Sequence, residues 1–169
     1  MFSDLKGKKV LLIGSGADLT GRAMQERIES GAEWAAVVRI NKHYGAPEDV
    51  GCRTDVAVMA RRVWFNYYFS ACPNVPRMVA FAEGIGCPKD YRATVAAELG
   101  VERVSTGLAA AHLLLDAGAQ VELIGFNAPG GVPSEGGKRY ADGTLDTNEA
   151  YDWAAELKWL QAQPRITFL

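Results

Sequence analysis

The sequence predicts an α/β fold: a three-layer α/β/α arrangement around a mostly parallel, Rossmann-like sheet. Two observations predict it. Short runs such as KKVLLIG, WAAVVRI and QVELIGF are apolar throughout, the pattern of strands buried on both faces. They alternate with segments of helical spacing, which is how parallel strands are joined. No repeat, low-complexity tract or linker interrupts the 169 residues. One domain over 1–169 is therefore expected, long enough to bury a real core.

Element by element, Lys8 to Gly14 is the first strand. Leu19, Ala23, Met24 and Ile28 then recur at helical spacing, which predicts a helix from Leu19 to Ser30. Trp34–Ile40, Asp55–Ala60 and Arg77–Glu83 read as further strands. The aromatic stretch RRVWFNYYFSACPNVP is most simply core packing. Cys87–Leu99 reads as a helix with Pro88 near its first turn. Glu102–Val104 reads as a short strand. Ser105 to Gly118 has a cap residue at one end and glycine at the other, so a helix is expected. Gln120–Phe126 is a strand, 127–143 a glycine-rich loop, Asp146–Gln163 the last helix and RITFL a closing strand.

Charge and cysteine content exclude some functions. The 18 basic and 20 acidic side chains leave a net charge of −2, so no broad footprint for duplex nucleic acid is visible. Cys52, Cys72 and Cys87 are an odd set without metal-ligand spacing, so neither a disulfide framework nor a zinc site is expected. The opening MFSDLKGKKV is neither a secretory signal nor an anchor. A soluble, cytoplasmic protein is the expectation.

In open α/β sheets, ligands bind beyond the carboxyl ends of the strands. Gly14, Ser15 and Gly16 follow the first strand, and Arg39 and Asn41 end the second. Ser105, Thr106 and Gly107 open a helix, whose N–H groups and dipole favour an anion. Each piece has a plain structural alternative. GSGAD is also a tight turn, STG is also an N-cap, and Arg39 alternates with buried residues as a solvated strand end would. His112, inside AAAHLLL, reads as a core histidine with a local partner. His43 stands in a loop beside the crevice, where a chemical role is open.

In this order, the residues resemble the sialyltransferases of glycosyltransferase family 29. LLIGSGADL, VVRIN and EDVGCRT follow that family's large motif, with Arg53 in place of lysine. VSTGLAAAHLLLDAGAQVELIGF follows its small motif. Together they span about half of the chain. The resemblance implies an inverting, metal-independent transfer of a sialic-acid-type sugar from a cytidine nucleotide to a hydroxyl acceptor. It also implies no cofactor beyond the CMP-sugar donor. Gly14, Ser15, Gly16, Asp18 and Asn41 would face the nucleotide, with Arg39 in support. Ser105, Thr106 and Gly107 would approach the phosphate and the sugar carboxylate. Without an anchor, a bacterial or viral type is suggested. Its acceptor would be a glycan or a hydroxyl on a modified DNA base, and a homo-oligomer is open.

The sequence departs from the family pattern in four places. Ser15 replaces asparagine in the first turn, the bridging cysteines are absent, and the chain is shorter than the animal catalytic domains. Tyr151 stands where the family has its general-base histidine, while Glu156 matches the glutamate five residues on. A neutral phenol, with a pKa ordinarily about 10, is a poor base at pH 7. Three outcomes stay open: Tyr151 is activated, His43 or Asp142 takes the proton, or transfer is lost. Tyr140 loosely matches a further family motif. A non-catalytic nucleotide-binding module is the alternative function. A nicotinamide oxidoreductase ranks lower, because Arg39 and Asn41 occupy the place of its acidic ribose-binding residue.

Overall fold

Strands that are apolar on both faces need two covering layers, and the chain supplies both. The computed structural model describes residues 2–16, 19, 21–41, 46–60, 75–81, 91–126, 138–139, 145–146 and 151–169. Strands β1 (Lys9–Ile13), β2 (Ala36–Ile40), β3 (Val56–Met59), β4 (Arg77–Ala80), β5 (Gln120–Ile124) and β8 (Ile166–Phe168) form one sheet in the order β4-β3-β2-β1-β5-β8. Every pairing in it is parallel. The chain runs outward from β1 through β4, then crosses to β5 on the other side. The reversal falls between β1 and β5, where such sheets open a ligand crevice. Lys138–Arg139 (β6) and Leu145–Asp146 (β7) form a separate antiparallel pair.

Alternate strand residues feed the two layers. Val10, Leu12, Val38, Val58 and Leu123 pack with helices α3 (Tyr91–Leu99), α4 (Thr106–Asp116) and α5 (Trp153–Gln161). Leu11, Ile13 and Val37 pack on the other side with Leu19, Met24, Ile28, Trp34 and Val50. Each such leucine or isoleucine contributes about 1.5–3 kcal/mol on burial. Helix α4 is buried along most of its length. Its N-cap is Ser105, whose Oγ accepts from Leu108 N at 3.1 Å.

His112 of α4 has local partners, as the sequence suggested. Its Nδ1 lies 2.9 Å from Tyr91 Oη, its Nε2 lies 2.9 Å from Glu98 Oε2, and its ring stacks on Trp159 at 5.5 Å. The imidazole thus ties α3, α4 and α5 together.

Four expected elements differ, the first being the loop expected over 127–143, within which Lys138–Arg139 forms β6. The helix expected over 19–30 shrinks to α1 (Gln25–Glu29), because Gly21 and Ala23 take positive φ of 75° and 49°. The apolar spacing holds for Leu19, Met24 and Ile28, which are buried, and not for Ala23, which is exposed; a turn at Gly21 precedes α1. Asp49 holds that turn: its Oδ1 accepts from Gly21 N at 2.9 Å and its carbonyl accepts from Met24 N at 2.8 Å. The short helix α2 (Pro47–Val50), started by proline, presents Asp49. Glu102–Val104 is not a strand, because Val104 O and Ser105 N turn to side chains of α3 and α5. The last helix starts only at Trp153, where Asp152 caps it through Ala155 N at 2.9 Å.

At the end of β1 a side chain has no room. A β-carbon added at Gly14 would stand 2.3 Å from Gly125 O. Gly14→Ala should therefore cost about 1–3 kcal/mol of stability, read as a lower urea midpoint at unchanged m-value. A wild-type midpoint would show that the two strand ends part freely.

Candidate functional site

The carboxyl ends of β1, β2 and β5 meet the N-terminus of α4 around one ring. Gly14 N donates to Ile124 O at 2.7 Å, and Gly16 N donates to Gly125 O at 2.8 Å. The turn after β1 is thus zipped onto the continuation of β5. Phe126 follows. A β-carbon at Gly14 would lie 3.0 Å from Phe126 Cδ2; one at Gly107 would lie 2.8 Å from Phe126 Cε1 and 3.4 Å from Ile40 Cδ1. Glycine at 14 and 107 lets the three turns close on Phe126, and Asn41 is the next residue along from Ile40.

Several donors at this mouth are unspent. Ser15 is buried, and its hydroxyl has no partner among the described residues. Asn41 is half-buried in the left-handed region, φ 55°, where asparagine is tolerated. Its Oδ1 accepts from Ala60 N at 2.9 Å, which fixes the carboxamide and leaves its NH₂ to donate outward. The amides of Thr106 and Gly107, in the first turn of α4, are likewise without a partner among the described residues.

Other residues with polar promise serve the fold. Arg39 is 1% exposed and points away from the mouth. Its Nη2 donates to Val50 O at 2.7 Å and Gly51 O at 2.9 Å, and its Nε donates to Arg53 O at 3.1 Å. It clasps the end of α2. Glu29 completes that clasp by accepting from Cys52 N and, at 2.9 Å, from Arg53 N. Ser105 is also committed. Its N and Oγ each donate to Glu156 at 2.6 Å, while its Oγ accepts from Leu108 N. Glu156, 5% exposed, thus occupies part of the anion-favouring end of α4. Any ligand there meets Thr106 and Gly107, not the Ser105 hydroxyl.

Tyr151 stands beside the same helix start. Arg92 of α3 donates from Nε to Val104 O at 3.0 Å and from Nη2 to Tyr151 Oη at 3.2 Å. Tyr151, Asp152 and Trp153 face Gly100–Arg103 across a groove of about 500 Å³. Arg92 was not singled out in the sequence. The sequence carries no signal for it, because its partners Val104 and Tyr151 come near only in space. Asp18, His43, Tyr140 and Asp142 lie outside the described residues. Among the described residues no cluster could hold a metal ion, and no helix is long and apolar enough to cross a membrane.

No protein-family model and no curated protein matches the chain. Solved structures do. A mammalian sialyltransferase in complex with Gal-beta-1-3GalNAc-ortho-nitrophenol superposes with a TM-score of 0.57 at 16% identity, over 96% of this chain and 69% of that one. A second structure of a mammalian sialyltransferase gives 0.58 at 15% identity, with the same coverage. The fold is sialyltransferase-like. At this identity the likeness is one of architecture alone.

The Glu156–Ser105 clasp joins the sialyltransferase-like sheet's main covering helix to α5. Glu156→Ala would strand a backbone N–H and a hydroxyl, and should cost about 2–3 kcal/mol in urea denaturation. Glu156→Gln keeps an acceptor and should cost less. Equal stability of all three proteins would contradict the clasp.

Proposed function

We propose that the chain is a glycosyltransferase of the sialyltransferase-like kind, with a cytidine-nucleotide sugar as donor and a hydroxyl-bearing acceptor such as a glycan. One observation carries this reading. Gly14, Gly107 and Ile40, the chain neighbours of Ser15, Thr106 and Asn41, close on Phe126, and the Ser15 hydroxyl, the Asn41 NH₂ and the amides of Thr106 and Gly107 are donors without a partner among the described residues. A mouth that offers donors asks for an acceptor-rich ligand, and a sugar nucleotide with its phosphate is one. The family resemblance of the sequence narrows that ligand to a CMP-sugar, and the fold likeness supports it.

In this reading the phosphate lies over the start of α4. As the bond from phosphate to the anomeric carbon breaks, negative charge grows on the departing CMP, where the Thr106 and Gly107 amides stabilise it. The acceptor hydroxyl attacks from the opposite face, which inverts the configuration, and its proton passes to His43 or Asp142, the two groups that the sequence offers besides Tyr151. No metal is assigned to the reaction, as in the family that the sequence resembles.

The second reading, a nucleotide-binding module without turnover, draws on Tyr151. Its hydroxyl accepts from Arg92, so this phenol is not arranged as the free proton acceptor that the transfer needs.

A nucleotide panel in a thermal-shift assay separates these from other ligands. CMP should raise the melting temperature more than UMP, GMP or NAD, by mass action. Asn41→Ala should weaken CMP about tenfold by removing one donor to the ligand. Equal shifts for all four nucleotides would defeat the donor assignment. Release of CMP from CMP-sialic acid then decides between enzyme and binder.

A further inference from the structure

Arg92 is a half-buried cation with no ion pair among the described residues. Its partners are the Val104 carbonyl and the Tyr151 hydroxyl, both neutral. Three other arginines are neutralised directly, Arg53 by Asp55 at 2.9 Å, Arg27 by Glu33 at 2.7 Å and Arg77 by Asp4 at 2.6 Å, while Arg39 and Arg165 grip backbone carbonyls within the fold. A charge withdrawn from water without a counter-charge favours the arrival of one. Arg92 stands next to the start of α4, where the proposed ligand brings its anion.

The direction of the bond to Tyr151 adds to this. A guanidinium has donors and no acceptor. Tyr151 Oη must therefore accept from Arg92, and its own proton points elsewhere. No described residue takes that proton, although the ring is half-buried beside Trp153, 5.1 Å between centroids. The groove of Gly100–Arg103 and Tyr151–Trp153 lies in front of it.

We propose that Arg92 and Tyr151 form one anion-binding unit. Tyr151 donates its O–H to an anionic oxygen of the bound sugar nucleotide, and Arg92 is the positioning residue that sets the direction of that bond and places positive charge behind it. The inference rests on the donor reading above for the identity of the ligand. It gives Tyr151 the role of a hydrogen-bond donor in place of a proton acceptor. The anionic oxygen belongs to a phosphate or to the sugar's carboxylate, and the ligands chosen below tell them apart.

The test is calorimetric titration of cytidine, CMP and CMP-sialic acid into wild type, Tyr151→Phe, Arg92→Lys, Arg92→Met and the Arg92→Met/Tyr151→Phe double variant. Tyr151→Phe should weaken the anionic ligands about tenfold and leave cytidine unchanged. A loss already seen with CMP assigns the phosphate; a loss confined to CMP-sialic acid assigns the carboxylate. Arg92→Lys should retain most of the affinity. The double variant should lose clearly less than the product of the two single losses, because Arg92 acts through Tyr151. Unchanged binding of both anionic ligands to Tyr151→Phe would overturn the inference and leave the donor site standing. So would an equal loss of cytidine, which marks a purely structural effect. A wild-type chain that binds neither CMP nor CMP-sialic acid would bring down the donor reading, and this inference with it.

Discussion

The close approach of two backbones at Gly14 and Gly125 governs the molecule's working end. With no β-carbon on Gly14, the strand ends of β1 and β5 stay in hydrogen-bond contact past the sheet proper, through Gly14 N to Ile124 O and Gly16 N to Gly125 O. Gly125 needs its own freedom, since it sits at φ 75° and a β-carbon there would stand 2.8 Å from Leu19 Cδ2. This contact sets where Phe126 goes. Phe126 in turn reaches Gly107, the second residue of α4. Strand, turn and helix are thus placed relative to one another by van der Waals contact within a few tenths of an ångström. That is the tolerance a binding site needs.

Around this contact, charged side chains are used chiefly to close backbone ends. Arg39 gathers the carbonyls of Val50, Gly51 and Arg53; Glu29 takes two amides of the same segment; Asp55 accepts from Val37 N at 2.8 Å; Glu156 takes Ser105. Hydrogen bonds to charged groups are worth about 1.5–3 kcal/mol each, and losing one partner strands the other. The short helices α1 and α2 are too brief to stand on helix propensity. They hold because these side chains tie them to the sheet. The motif VVRIN followed by EDVGCRT therefore has a mechanical meaning: the first half supplies the clasp and the second half the carbonyls that it grips.

The sheet was legible in the sequence because burial on both faces leaves a local signature, an unbroken apolar run such as VLLI or AVVRI. Even that run hid something, for it contains Arg39, and alternation assigns a residue to a face without naming its partner eleven residues away at Val50. Helix length was less legible. Leu19, Met24 and Ile28 satisfy a helical period, yet Gly21 and Ala23 break the backbone between them. Periodicity reports which residues are buried, and two different backbones can bury the same set. Ser105 looked free for a ligand because its partner, Glu156, lies 51 residues away. In sequence Arg92 reads as one more helical residue, since its meaning comes only from Val104 and Tyr151 in space.

The hydrogen-bond inventory at the mouth favours charge binding over proton removal. Ser15, Asn41, Thr106 and Gly107 bring donors there, Arg92 and Tyr151 stand beside the same helix start through Val104, and Glu156 is spent on Ser105. An imidazole at position 151 could either accept or donate. A phenol whose oxygen already accepts from a guanidinium is turned toward donation. On the proposed reading, a tyrosine at this position with Arg92 behind it has a different physical task from the histidine of the family that the sequence resembles. There it would strengthen the grip on a negatively charged ligand and weaken the ability to take a proton from an acceptor. On that reading donor affinity and transfer rate are separable quantities, carried by different groups.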